Sequence, residues 1–230
     1  MPPIRSWART GARSWIRDWA DDPPWATAYD WSVEHPLVGG LGWRLAGGSD
    51  LRLLYAAAEE IGTLPAGAVV LDVPCGGGVA LRGLRPGQGL TYLAADIAQA
   101  MLDRTIAAAR RRGVADQVVP RLADVGALPL EDGSVDLVVT FMGLHCFPDP
   151  RRAVAEMARV LRPGGVVSGS MVATDTGRRF EPMRRAGRRA HLLGPMCSRG
   201  EVVAWFAADG VPDLRVTTSG AVAYFRGVRA

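Results

Sequence analysis

The segment Val69-Val70-Leu71-Asp72-Val73-Pro74-Cys75-Gly76-Gly77-Gly78 is a short apolar run that ends in an acid and turns at once through three glycines. An apolar run of this length, bounded by glycine and proline, reads as a strand buried on both faces. A strand that stops at such a turn lays backbone N–H groups and a helix N-terminus against a polar ligand, and glycine admits that ligand to contact with the main chain. A plain strand-to-helix connection uses the same residues, so the downstream segments must decide. A dinucleotide fold asks for Gly-x-Gly-x-x-Gly, with an acid about 20 residues further on. Here the register is instead Asp72-x-Pro74-x-Gly76-x-Gly78.

A second apolar strand, Leu90 to Ala95, ends in Asp96 and opens Ile97-Ala98-Gln99-Ala100-Met101-Leu102. Asp96 has two uses: its two oxygens match two vicinal hydroxyl donors, or it caps the next helix with Gln99 closing a capping box. A third strand, about Gln117 to Leu122, leads to Ala123-Asp124-Val125, and a fourth lies within Val135-Asp136-Leu137-Val138-Val139. Asp149-Pro150 then caps a helix that Arg162-Pro163-Gly164-Gly165 stops before a fifth strand, Val166 to Ser170. Asp72, Asp96 and Asp124 each close a strand, and ligands of open α/β sheets bind beyond those ends.

These four segments, in this order, resemble the motifs of the class I S-adenosylmethionine-dependent methyltransferases, of the small-molecule, type 11-like kind, with Pro74 where that family's first glycine normally stands. The resemblance covers Ala66 to about Met171. It implies a Rossmann-like, doubly wound α/β fold with a seven-stranded sheet of order 3-2-1-4-5-7-6, the last strand antiparallel, and an N-terminal helical lid. It implies S-adenosyl-L-methionine as cofactor, held by Asp72, Pro74, Cys75, Gly76, Gly78, Asp96, Ile97, Met101, Asp124, Val125 and Phe141. In that scheme Asp96 takes the ribose hydroxyls, Asp124 accepts from the adenine amino group, and the Val125 N–H faces a ring nitrogen. Substrate sits above strands four and five, and the methyl moves by in-line displacement, where orientation alone supplies roughly 7–11 kcal/mol.

A base is needed only if the acceptor must lose a proton, and His145, just past strand four, is the candidate. His191 is a weaker one, and His35 reads as a loop residue. No Asn-Pro-Pro-Tyr-like tetrapeptide follows strand four, which speaks against the amino-methyltransferases that act on nucleic acids. The expected partner is a small, apolar or aromatic methyl acceptor, with no nucleic acid. Two rival readings stay open: a protein that keeps the fold and binds without catalysis, which Pro74 makes more than formal, and an NAD(P)-dependent oxidoreductase, opposed by the glycine register and the final hairpin.

The 230 residues divide into helices over 1–65 and a methyltransferase domain over 66–230, with a substrate cap at about 172–198. In the first part Arg5, Arg9, Arg13 and Arg17 fall four apart, with Trp7, Trp15 and Trp19 offset by two; in a helix that sets them on opposite faces. Such a helix serves as a lid over the crevice or as a membrane-surface element. Ala26 to Pro65 reads as a second helical stretch broken at Gly39-Gly40 and Gly47-Gly48, in which Tyr29, Trp31, Trp43 and Arg44 are packing or contact residues. The cap's arginines read mostly as a solvated face, and Ser198 to Ala208 as a capped helix before strands Val211 to Thr218 and Ala221 to Arg226.

The formal charge of +4 lies in the N-terminal helix and the cap, with no added RNA-binding module. The three scattered cysteines form no metal or disulfide pattern, and no apolar run is long enough to span a bilayer. The expected location is the cytoplasm, with peripheral membrane contact as the alternative use of the N-terminal helix.

Overall fold

The computed structural model describes Val33 and residues 35–230. The arginine and tryptophan periodicity, with Tyr29 and Trp31, lies outside those residues. The strands are β1 Val69–Asp72, β2 Thr91–Asp96, β3 Val118–Leu122, β4 Val135–Phe141, β5 Leu161–Val172, β6 Arg215–Ser219 and β7 Val222–Val228. They form one sheet of order β3-β2-β1-β4-β5-β7-β6. Neighbours from β3 through β5 run parallel, and β7 runs antiparallel to both β5 and β6. Order and orientation match the expectation. The helices are α1 Pro36–Gly47, α2 Leu51–Ala58, α3 Gln99–Arg112, α4 Pro150–Val160, α5 Glu181–Arg189 and α6 Arg199–Ala208.

The central strands are apolar on both sides because both sides are covered. Val70, Leu137 and Val139 pack with Leu51, Leu54 and Ala58 of α2 and with Leu102 and Ala108 of α3. Leu71, Val138 and Val167 face the other way, onto Ala153, Val154 and Met157 of α4 and Phe206 of α6. The alternation is the two-residue period of a strand read against two helical layers. Each fully buried aliphatic side chain of this kind stabilises the fold by about 1.5–3 kcal/mol. Polar groups fix the register at the strand starts: the Val69 N–H donates to Asp136 Oδ2 at 2.7 Å, and Arg162 pairs with the other oxygen.

Several local expectations are corrected. Helix α1 passes through Gly39-Gly40, because Pro36 presets its first turn and the Gly39 N–H still reaches the His35 carbonyl at 2.8 Å. It stops at Gly48, whose φ of 62° lets its N–H close on the Arg44 carbonyl. Strand β5 begins at Leu161 rather than Val166: Leu161 pairs with Val135, the ladder slips around Pro163-Gly164-Gly165, and pairing resumes at Val166 with Leu137. Strand β6 starts only at Arg215, since the Val211 N–H turns back to the Phe206 carbonyl at 2.8 Å and Pro212 has no donor.

The largest difference lies after β1. The glycine turn opens no α-helix; a five-residue 3-10 turn, Val79–Gly83, is all that precedes β2. Gly83, Gly87, Gly89 and Pro86 leave no run of helix formers there. That 3-10 turn lies directly on α2, where a Cβ at Gly83 would stand 1.8 Å from the Ala58 carbonyl oxygen. Gly83→Ala is accordingly expected to lower the unfolding free energy by about 1–3 kcal/mol, the cost of overpacking a closed contact. Urea denaturation measures it, and an unchanged midpoint would mean that α2 and the turn are not in that contact.

Candidate active site

Asp72 and Asp96 are the last residues of β1 and β2, and Asp124 follows shortly after Leu122, the last of β3; the three strands are parallel neighbours, so the acids fall at the same end of the sheet. The turn after β1 is stitched to both flanking strands. Its Val73 N–H donates to the Val139 carbonyl of β4 at 3.0 Å, and its Cys75 N–H donates to the Ala95 carbonyl of β2 at 2.9 Å. Asp96 then fastens it from the side: Oδ2 accepts from the Gly76 N–H at 3.1 Å and Oδ1 from the Ala98 N–H at 3.0 Å. No capping box forms at Gln99; Ala98 is the N-cap, and the Gln99 amide donates to Asp103 at 2.9 Å.

The left-handed residues of the turn are Gly76, at φ 49°, and Gly78, at φ 87°. Gly78 is also hemmed in, since a Cβ there would lie 2.9 Å from Leu81. A Cβ on Gly76 would meet nothing within 4 Å, so this residue borders open space. Pro74 itself follows a cis peptide bond and packs on the loop after β4: a Cβ at Gly143 would stand 2.4 Å from the Pro74 Cδ and 2.7 Å from Thr140 Oγ1. Proline at this position therefore pairs with glycine at 143, and the positive φ values fall where glycine permits them.

Burial shapes the chemistry of the turn. Cys75 is buried, with the Thr105 hydroxyl 3.4 Å from its sulfur and 2.7 Å from the Gly76 carbonyl, to which it donates. Burial and the nearby Asp96 and Asp72 charges push its thiol well above the usual range, so it stays protonated and inert. The Tyr92 hydroxyl donates to Asp72 Oδ2 at 2.7 Å. Asp124 caps the 3-10 turn Val125–Ala127 by accepting from the Gly126 N–H at 2.8 Å. Arg159 and Glu156 of α4 brace the segment behind it: Arg159 donates to the Leu128 and Leu130 carbonyls, and Glu156 accepts from the Leu128 N–H.

Of the residues expected at the cofactor, Asp72, Pro74, Cys75, Gly76, Gly78 and Asp96 meet around the turn, with Asp124 at the next strand end. Ile97 is 37% exposed beside Asp96. Met101, Val125 and Phe141 instead have side chains buried in apolar clusters, Met101 with Ala98, Val125 beneath α4, and Phe141 with the α2 layer. Sequence reading missed Tyr92, Thr105 and Gly143. Thr105 and Tyr92 sit inside elements whose neighbours are apolar, and nothing local marks them.

Beyond β4 and β5 lies a separate apolar cluster: Val172, Phe180 and Met196, with Met142, Met183 and Leu193 against it. Met142 and Met196 hold φ of 56° and 59°. Left-handed non-glycine residues cost energy and gather at functional sites. The arginines of α5 are not all solvated, since Arg184 is buried and donates to the Ala173 and Gly177 carbonyls and to Thr176. Glu181 pairs with Arg184, Arg185 and Arg188, and together these guanidiniums hold its carboxyl down at about 2.

His145 is buried, its Nδ1 accepting from the Val172 N–H at 3.1 Å and its carbonyl accepting from the Gly194 N–H at 2.7 Å. The first bond places the ring's proton on Nε2. Burial lowers its pKa to about 4. His191 and His35 are exposed. Among the described residues no three histidine, cysteine or acidic side chains gather to hold a metal, and no helix is long and apolar enough to cross a membrane.

Residues 71–168 match the model of the methyltransferase domain family known as type 11. Over that span the chain is similar to a methyltransferase domain, and its sheet has the strand order of the class I methyltransferase fold. An uncharacterised chloroplastic methyltransferase of Arabidopsis thaliana is 35% identical over 148 residues, covering 59% of this chain and 42% of that protein. The 27-O-demethylrifamycin SV methyltransferase of Amycolatopsis mediterranei is 35% identical over 106 residues, covering 45% of this chain and 39% of that protein. The chain thus spans about two fifths of the length of either relative. A solved geranyl diphosphate methyltransferase, in complex with GPP and sinefungin, superposes with a TM-score of 0.60 at 19% identity, over 78% of this chain and 79% of its own.

The neutral His145 ring favours the folded state only where it is also neutral when unfolded. That contribution is complete above about pH 6.5 and lost as pH falls toward about 4. The stability advantage of the wild type over His145→Gln is therefore expected to shrink by about 2–3 kcal/mol between pH 7 and pH 4.5. Urea melts at the two pH values measure the difference, and a constant gap would show that the ring is accessible to protons in the fold.

Proposed function

We propose that this protein binds S-adenosyl-L-methionine at the turn after β1 and methylates a small, apolar or aromatic molecule held above β4 and β5. The observation that carries the reading is the row of Asp72, Asp96 and Asp124 on neighbouring strand ends, around a turn whose Gly76 borders open space. The donor set suits the group: the two oxygens of the Asp96 carboxylate match a vicinal ribose diol, and Asp124 stands one strand further on, where a purine amino group would reach it. When bound, S-adenosylmethionine supplies a methyl group already activated by its sulfonium charge.

The chain's own residues then bind, orient and exclude water. The apolar cluster of Met142, Phe180, Met183, Leu193 and Met196 supplies a wall for the acceptor, and its methionines adapt to irregular apolar shapes. The small-molecule acceptor named for the Amycolatopsis relative supports the same substrate class. His145 serves this wall by holding the loop after β4 to β5 and to the segment at Gly194, rather than by taking a proton, because its Nδ1 lone pair is already used. Orientation of the nucleophile carries the rate. The reading places the protein in the cytoplasm, with a small molecule rather than a nucleic acid as its partner.

Calorimetric titration with S-adenosylmethionine, S-adenosylhomocysteine and NAD(P) tests the cofactor, with binding of the first two expected; heat from NAD(P) alone would overturn the reading. Asp96→Ala is expected to raise the dissociation constant at least about fivefold, the effect of losing about 1 kcal/mol of charged hydrogen bonding. An unchanged constant in a folded variant removes Asp96 from the ribose.

A further inference from the structure

Tyr92 stands inside β2, paired with Val70 of β1 and fully buried in the apolar layer formed with α2 and α3. Packing alone would be satisfied by phenylalanine. A buried phenol is retained where its hydroxyl has a partner, and here that partner is the carboxylate of Asp72, at 2.7 Å. The bond crosses from β2 to the last residue of β1, one residue before the chain enters the glycine turn's Pro74 segment.

The groups that act on Asp72 are few. From β2 come the Tyr92 hydroxyl and, at the strand end, the Asp96 charge; from the turn comes Cys75, whose thiol stays protonated. Among the described residues, the groups that shift Asp72 are Tyr92 and Asp96, and no guanidinium. The acid at the end of β1 is thus buried beside a second acid, with a phenol where an arginine would ordinarily stand. Two carboxylates so placed leave the crevice short of positive charge, which a cationic ligand would bring.

We propose that Tyr92 is a positioning residue for the cofactor: its hydroxyl keeps the Asp72 carboxylate ionised at the root of the turn, and that anion is the counter-charge for the cationic end of S-adenosylmethionine. The inference rests on the reading of the crevice given above. Burial above all raises the Asp72 pKa to about 7, with the Tyr92 bond pulling it down and Asp96 pushing it up. About half of the molecules then carry the proton at neutral pH. A cation that binds the ionised form displaces that proton to the buffer, and affinity scales with the ionised fraction.

Titration of the full chain with S-adenosylmethionine from pH 6 to 9, in pairs of buffers differing in ionisation enthalpy, reads affinity and proton release together. The wild type is expected to gain affinity across pH 7 and to release about half a proton there. Tyr92→Phe moves the midpoint up. A midpoint one pH unit higher cuts the ionised fraction at pH 7 from about one half to about one tenth, so binding weakens about fivefold at pH 7 and converges with the wild type near pH 9. Asp72→Asn keeps only the pH dependence of the ligand's own amino group, which titrates near about 8 in every arm.

Tyr92→Phe tracking the wild type at every pH would overturn the proposal, and so would a wild-type proton count equal to that of Asp72→Asn. Should Tyr92→Phe not fold, the comparison of wild type with Asp72→Asn decides. A wild type that binds no S-adenosylmethionine at any pH overturns the cofactor reading itself, a result distinct from binding that is merely indifferent to Tyr92.

Discussion

The carboxylate of Asp96 joins three pieces of chain: the end of β2, the start of α3 just beyond it, and the glycine turn after β1. Its two oxygens take the Gly76 and Ala98 N–H groups, donors that the turn and the helix start would otherwise leave unsatisfied. Beside it, Cys75 bonds to Ala95, and the Ala123 N–H bonds to the Asp96 carbonyl at 2.9 Å. One residue thus holds the two connections that border the crevice, and the positions of Asp72 and Asp124 follow from it. The sheet supplies rigidity beneath; this acid supplies the local geometry.

Strands β1 and β2 were legible because each is an apolar run that ends in aspartate, and the sheet order followed from the resemblance of the ordered motifs to a known family. The capping box at Ser198 and the Asp149 cap were legible for a similar reason, since both are local and use residues whose side chains reach their own backbone. What could not be read were choices made by distant partners. The 3-10 turn after Gly78 depends on contact with α2, and the passage of α1 through Gly39-Gly40 depends on bonds that glycine does not forbid. Met101, Val125 and Phe141 follow the motif in sequence, yet their side chains belong to the core. Tyr92 looks like one more apolar strand residue until the fold brings Asp72 within reach of its hydroxyl.

The acceptor side follows a different logic from the cofactor side. Around the turn, polar groups are fixed in pairs and triplets, whereas the cluster beyond β5 is built from methionine, leucine and phenylalanine, with few polar anchors. Glu181 and Arg184 secure this region to the end of β5 from behind. The strained backbone of Met142 and Met196 is held by such neighbours rather than by its own preference.

The missing helix after β1 has an electrostatic consequence. Folds that hold diphosphates place the positive end of a helix at this turn, and its N–H groups meet the phosphate oxygens. Here the 3-10 turn is too short to build such a dipole, the Gly76 N–H is committed to Asp96, and the nearest charges are negative. A diphosphate entering this crevice would meet repulsion where a sulfonium amino acid meets attraction. For the ligand proposed above, the same backbone economy that removed a helix would act as a charge filter between two classes of adenosine-bearing molecule.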